Sequence, residues 1–311
     1  MRILVVGAGA IGGYFGGRLA ETGRDVTFLV RPRRAAQLCK TGLAIQSPCG
    51  DAHLATPRTV TAAEVRESYD LILLSCKAYD LASAMDSFAS AVGSDTAILP
   101  LLNGMAHMQA LAGRFGSQSV LGGQCVISTT LDPDGRVLHL NDLHLLTFGE
   151  CDGSHSARAK AIERVFAGAR FETRLSANIL QEMWEKWVFI AATAGITCLL
   201  RATVGDIVAA GAAELTTTML DECASIAAAH GFAPREEPKA RGRAMLTQPG
   251  SAFAASMLRD IENGTRIEGD HIVGELLRRG QAKQCPAPLL RIAYAHLRTY
   301  EARRARETAG H

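Results

Sequence analysis

Three glycines and one lysine carry the clearest chemical signals in this chain of 311 residues. Gly7, Gly9 and Gly12 stand at GxGxxG spacing, with Ala10 and Ile11 between the last two. At such a spacing the first glycine permits a tight turn, and the second lets backbone amides approach a pyrophosphate. The third lets a helix pack closely on a strand. The helix then points its positive N-terminal end at the phosphates. Lys186 lies in a stretch, 179–194, whose helical spacing puts Ile190 and Ala194 on its face and Thr193 beside them. An apolar wall desolvates an ammonium and suits it to proton donation near neutrality. The pattern alone also suits a surface lysine paired with Glu182 four residues back.

Arg31, Lys77 and Asn103 are the next candidates, each at the end of an apolar run. A site that prefers NAD places an acidic residue after the second strand, to bind the ribose hydroxyls. Here that place holds Arg31, followed by Arg33 and Arg34, and a guanidinium fork suits a 2'-phosphate, so NADP(H) is the expected cofactor. A solvated basic turn is the plainer reading of the same run. Lys77 follows the run 70–76 and Asn103 the run 95–102, on the side where open α/β sheets bind ligands. A solvated loop lysine and a turn asparagine before glycine remain alternatives. Further along, Ser256 and Asp260 lie one turn apart, and Thr265 with Glu268 has capping-box spacing, which would make Glu268 structural.

These residues need elements to hold them. The run 3–6 reads as a buried strand of a parallel sheet, 11–21 as a helix and 25–30 as a second strand. Short extended pieces are expected over 40–50 and 52–57, and a helix follows Lys77 through 92. Strands are expected at 120–130, 136–140 and 145–149, with a turn at Asp132-Pro133-Asp134-Gly135, then a helix over 156–169 and a strand over 171–175. From 178 onward the pattern is helical, including 252–262 and 287–299. The charged end 301–311 is expected to fray and is assigned no function. The division is a Rossmann-type α/β domain over 1–176 and an all-α domain over 177–311.

Composition narrows the partners. Lys and Arg total 33 against 31 for Asp and Glu, so nothing favours nucleic acid or an anionic membrane. No apolar run reaches the ~18 residues of a membrane span, and the chain opens on a strand, so a cytoplasmic protein is expected. The 8 cysteines are scattered, with no CxxC and no Cys/His pair at zinc-ligand spacing, so reduced thiols and no metal site are expected. An apolar helical half is compatible with a homodimer, but no helix has a pattern that names an interface.

Six blocks together resemble the ketopantoate reductase (2-dehydropantoate 2-reductase) family. They are GAGAIGGYFGGRL at the start, Arg31, CKAYD around Lys77, LNGM around Asn103, MWEKW around Lys186, and SMLRDIENGTRIEGDHIVG from Ser256 to Gly274; Pro286 matches a further family position. The resemblance spans nearly the whole chain. It implies a Rossmann-type domain joined to a helical domain of the 6-phosphogluconate-dehydrogenase C-terminal type, with the active site in the cleft between them. It also implies NADPH-dependent reduction of a 2-oxo acid, as in pantothenate biosynthesis.

By that resemblance Lys186 is the general acid and Glu268 the acidic residue that positions it. Asn103 lies at nicotinamide and substrate, Ser256 at the substrate carboxylate, and Lys77 near cofactor and substrate. The chain departs from well-known members four and eight residues after the lysine, where they carry asparagines that reach the substrate. Here those positions are Ile190 and Ala194, so a more apolar 2-oxo acid is an alternative substrate. Arg201, just past the same helix, is a candidate carboxylate clamp or a plain surface arginine. Fold alone also allows a regulator that senses NADPH without turnover, against which the retained Asn103, Lys186, Ser256 and Glu268 argue.

Overall fold

The computed structural model describes residues 1–309. It divides into two compact units, one of residues 1–103 and 107–180, the other of 104–106 and 181 onward.

The first unit contains ten strands. In chain order they and their helices are β1 (Arg2–Val6), α1 (Ala10–Glu21), β2 (Asp25–Leu29), α2 (Pro32–Thr41), β3 (Leu43–Gln46), β4 (Ala52–Leu54), β5 (Thr59–Val60), β6 (Leu71–Leu74), α3 (Leu81–Phe88), β7 (Ala97–Pro100), α4 (Ala106–Phe115), β8 (Leu121–Leu131), β9 (Val137–Glu150), α5 (Ala157–Phe166) and β10 (Glu172–Leu175). Five strands form an all-parallel sheet in the order β5-β2-β1-β6-β7. Its strands are apolar on both sides because both faces are covered. Ile3, Val5, Leu71 and Leu73 face one core with Phe15 and Leu19 of α1. Leu4, Val6, Ile72 and Leu74 face the other with Leu81 and Phe88 of α3. Strand order reverses between β1 and β6, the place where ligands bind at the carboxyl ends of such sheets.

A second sheet was not expected as a separate layer. Its order is β10-β9-β3-β4, with β8 antiparallel to β9, and α1 packs between the two sheets. A Cβ on Gly16 would come within 2.8 Å of Val5 and Phe28, on the parallel sheet, while one on Gly13 or Gly17 would come within 2.8 Å of Val137 or 2.7 Å of Ile45, on the second. Glycine pairs thus line opposite faces of one helix and let both sheets approach it.

Several local expectations are corrected. The stretch 32–41 is a helix, α2, opened by Pro32 at its first turn. The runs 136–140 and 145–149 are one strand, β9, interrupted by a bulge.

The second unit is helical: α6 (Ile179–Leu200), α7 (Val204–Ala209), α8 (Ala213–Ala229), α9 (Glu236–Leu246), α10 (Ser256–Glu262), a π-helical turn (Asp270–Gly274), α11 (Glu275–Ala282) and α12 (Pro288–Ala309). Its α6 begins just inside the first unit. Contrary to the reading of apolar runs, α6 is long and apolar enough to span a membrane by length and composition. Yet 72% of its apolar window is buried, so it is a core helix. Residues 252–255 precede α10 and are not helical. The charged tail does not fray at Glu301: α12 continues to Ala309, supported by Arg303–Glu307 and Arg304–Glu301 pairs along the helix. Positions 310–311 of the tail lie outside the described residues.

Candidate active site

In the first unit the candidate residues gather at the carboxyl edge of the parallel sheet. Gly7 has φ +95°, a left-handed backbone that glycine adopts without strain, and its N–H donates to Leu29 O at 2.9 Å. Ser75, just past β6, donates from Oγ to the carbonyls of Val6 (2.9 Å) and Gly7 (3.1 Å). A Cβ on Gly12 would lie 2.1 Å from both Gly7 O and Ser75 Oγ, so only glycine fits there. Around Gly9, in contrast, nothing lies within 4 Å of a built Cβ, and no side chain caps α1 there. The open approach and the uncapped N–H groups at the helix start fit a dinucleotide pyrophosphate. Ala10 and Ile11 form the first helical residues of that cradle.

The arginine run divides by contacts. Arg34 donates from Nε to Ala8 O at 3.1 Å and from a terminal nitrogen to Gly135 O at 2.9 Å, bracing the glycine turn from outside. Burial holds its pKa below the usual arginine value. Arg31, 74% exposed, instead reaches Asp80 at 3.0 Å, two strands along the sheet edge. Sequence spacing gave no sign of Asp80, because the pair joins loops after β2 and β6. Lys77 is exposed at the start of the 3₁₀ turn Ala78–Asp80, and Asn103 is half-buried after β7.

In the second unit the neighbours of Lys186 are locked. Trp184 stacks on Phe232 (ring centroids 5.3 Å apart) and on His230 (5.6 Å), with the Arg279 guanidinium 5.4 Å from the rings of both Trp184 and Trp187. Glu185, buried, accepts from Arg235 Nε and a terminal nitrogen at 2.7 Å each and from Gln181 at 3.0 Å. Burial opposes its ionisation, but these donors outweigh it and hold the carboxyl below the usual range. Trp187, fully buried, donates from Nε1 to Ile272 O at 2.8 Å. Lys186, between them, is half-buried, as is Ile190 one turn on, while Ala194 is buried. Glu182 is buried at 7% exposure rather than solvated. The Thr193 hydroxyl is spent on Phe189 O at 2.7 Å.

Glu268 is half-buried, and its carbonyl accepts from Ile272 N at 2.9 Å as the chain enters the π-helical turn. Turns of this kind are rare and concentrate at functional sites. The capping box expected of Thr265 does not form: its hydroxyl donates to Asp260 O at 3.0 Å, and the helical turn starts later. The segment is pinned from α12, with Tyr300 donating to Thr265 O at 2.7 Å, Ile267 N donating to Glu301 at 2.7 Å, and Tyr294 donating to Asp270. Glu301, expected in a functionless tail, thus helps to fix the approach to Glu268. Ser256 opens α10 and is exposed. Arg201 ends α6 in a left-handed conformation (φ 56°) and is exposed, as a surface arginine would be.

Comparison with known proteins agrees across both units. The profile described as ketopantoate reductase PanE/ApbA matches residues 3–153, and its C-terminal counterpart matches 178–301. The oxidoreductase YkpB of Bacillus subtilis, itself uncharacterized, is 38% identical over 97% of this chain and 99% of its own. The crystal structure of 2-dehydropantoate 2-reductase from Methylococcus capsulatus superposes with a TM-score of 0.86 at 28% identity, covering 98% of each chain. A D-mandelate dehydrogenase solved with NADH and anilino(oxo)acetate shares the fold, with a TM-score of 0.87 at 22% identity over 98% of this chain and 100% of that one.

Proposed function

This chain belongs to the ketopantoate reductase family, whose members reduce 2-oxo acids with a nicotinamide cofactor, and we propose that it reduces 2-dehydropantoate to pantoate with NADPH, a step of pantothenate biosynthesis. The observation that carries this reading is a half-buried lysine held between three immobilised neighbours, Trp184, Glu185 and Trp187.

When bound, the nicotinamide would provide hydride chemistry at the carbonyl carbon of the substrate. Charge then develops on the carbonyl oxygen, where the Lys186 ammonium stabilises it and donates the proton. Glu268 keeps that ammonium charged and oriented. Asn103 and Ser256 hold the substrate, the latter at its carboxylate. Gly7, Gly9, Ala10, Ile11 and Gly12 receive the pyrophosphate, with Lys77 nearby, and Arg31 receives the 2'-phosphate.

A second reading is favoured by Ile190 and Ala194, which put hydrocarbon on the lysine face of α6. Neither can bind a substrate hydroxyl, and leaving one buried without a partner costs roughly 1–3 kcal/mol. A 2-oxo acid with an apolar branch avoids that cost.

The test is NADPH consumption with ketopantoate and a panel of apolar 2-oxo acids, run beside Lys186→Ala. Turnover of ketopantoate that Lys186→Ala abolishes supports the first reading. Turnover confined to apolar acids supports the second, and turnover that survives Lys186→Ala overturns the assignment of the general acid.

A further inference from the structure

The bulge in β9 does something that its sequence conceals. Opposite β8, Ile127 pairs with His144 and Thr129 with His139, so five steps along β9 are matched by two along β8. In a regular strand two residues five apart point to opposite faces. The three extra residues turn both rings to one side, where they stack with centroids 5.6 Å apart. Bulges of this kind re-aim side chains next to functional sites. Cys49 arrives from the turn between β3 and β4, and its sulfur and one nitrogen of each ring all lie within 4.8 Å of one another.

We propose that Cys49, His139 and His144 form a binding site for a borderline-soft transition-metal ion, Zn²⁺ being the probe of choice. The supporting hydrogen bonds already set the rings for it. Leu143 O can only accept, so the His139 nitrogen facing it at 3.0 Å, Nε2, carries the proton, and Nδ1 keeps its lone pair. That carbonyl contact is the outer-shell partner a metal-bound histidine ordinarily has. His144 Nδ1 meets the Tyr14 hydroxyl at 2.7 Å; in the tautomer in which that hydroxyl accepts, the lone pair able to take an ion lies on Nε2. The Cys49 turn is closed by Gly50 N donating to Ser47 O at 2.9 Å and by Ser47 N donating to Asp51 at 2.9 Å.

Binding requires limited change. A tetrahedral zinc spaces sulfur and nitrogen donors by about 3.3–3.6 Å, so donors now within 4.8 Å of one another close by at most about 1.5 Å. The Cys49 thiol loses its proton to solvent. The Ser47 hydroxyl, which now donates to His139 Nδ1 at 2.8 Å, turns aside while still accepting from Cys49 N at 3.1 Å. The Arg18 guanidinium lies 5.2 Å from the Tyr14 ring centroid, and Glu21 at 3.0 Å limits its repulsion of a cation. Three protein ligands leave a fourth position for water or an exogenous ligand.

The test uses the full chain, stripped with chelator and titrated with Zn²⁺ by calorimetry and with Co²⁺ by absorption. The expected result is one ion per chain, with a thiolate-to-cobalt charge-transfer band that Cys49→Ser removes. His144→Ala should abolish stoichiometric binding, and Tyr14→Phe should weaken it by about 10- to 100-fold through loss of the outer-shell contact. His139 is buried and its replacement risks the fold, so it is left in place. Absence of stoichiometric binding, binding unchanged in Cys49→Ser, or a cobalt spectrum without the thiolate band overturns the proposal.

Discussion

Trp187 and Ile272 are joined by a buried hydrogen bond of 2.8 Å, from the indole Nε1 to the backbone carbonyl. One partner sits next to Lys186 in α6. The other lies in the π-helical turn that follows Glu268. A π-turn is intrinsically poor in stability and needs outside support, and the indole supplies it from the lysine helix. Trp187→Phe keeps an aromatic ring in place but removes the donor that Ile272 O accepts from. The expected outcome is a loss of about 1–3 kcal/mol in unfolding free energy, together with a fall in kcat that exceeds any change in KM. Denaturant unfolding and steady-state kinetics check the two parts. A stability loss with unchanged kcat would show that the bond supports the fold alone.

Acid should destabilise the protein through named carboxylates. At Glu150 burial opposes ionisation, but Arg158 and Ser156 outweigh it. At Asp270 the Tyr294 hydroxyl and Arg278 do the same, and at Glu185 the Arg235 guanidinium leads. Each folded pKa lies below its unfolded value, so the stabilisation is complete above the ordinary carboxylate range and is lost as pH falls through the folded values. Arg235→Ala leaves Glu185 buried without its main partner. It should cost about 1–3 kcal/mol near neutrality and flatten the acid dependence of unfolding below about pH 4.5. Urea titrations at several pH values measure both slopes.

If Arg31 receives the 2'-phosphate as proposed, coenzyme preference should depend on an exchange at this residue. Its pair with Asp80 is exposed, with side chains 74% and 34% accessible, and such pairs contribute about 0–1 kcal/mol. A 2'-phosphate forms stronger charge-assisted bonds, about 1.5–3 kcal/mol each, and should displace the aspartate. Arg31→Ala is expected to weaken NADPH binding by about 10- to 150-fold and leave NADH little changed. Asp80→Asn, which frees the guanidinium, should tighten NADPH binding by up to about fivefold. Fluorescence titration of the two coenzymes against each variant measures the split, and equal losses for both would remove Arg31 from the 2'-phosphate.

What was legible in the sequence was what a single local signal decides. The apolar run before Gly7 and the glycine spacing define strand, turn and helix within a few residues, and the parallel sheet follows from runs buried on two faces. The second sheet was hidden because its pairings are distant: β3 joins β9 some ninety residues later, and no local pattern records the partner. The α2 helix was missed because its residues are mostly polar, although Pro32 marked its start. At Thr265 the local capping motif lost to the hydroxyl's bond to Asp260 O, five residues back, and to the long-range contact from Tyr300. Cys49, His139 and His144 escaped for the same reason as the second sheet. Their spacing carries no metal signature, and only the bulge brings them together.

Ile190 gives the sharpest test of substrate choice. It sits one turn past Lys186, half-buried, so an asparagine there can be accommodated without disturbing a packed core, whereas Ala194 is buried at 3% exposure. If the lysine face meets a substrate hydroxyl, Ile190→Asn supplies the missing partner and recovers about 1–3 kcal/mol. That predicts a rise in kcat/KM for ketopantoate of about 5- to 150-fold, with turnover of apolar 2-oxo acids unchanged or reduced. The hydroxyl interacts in both ground and transition states, so most of the gain should appear in KM. Parallel kinetics of the native chain and Ile190→Asn on ketopantoate and one apolar analogue decide the matter. An unchanged ratio between the two substrates would mean that the residue at this position does not read the branch of the acid.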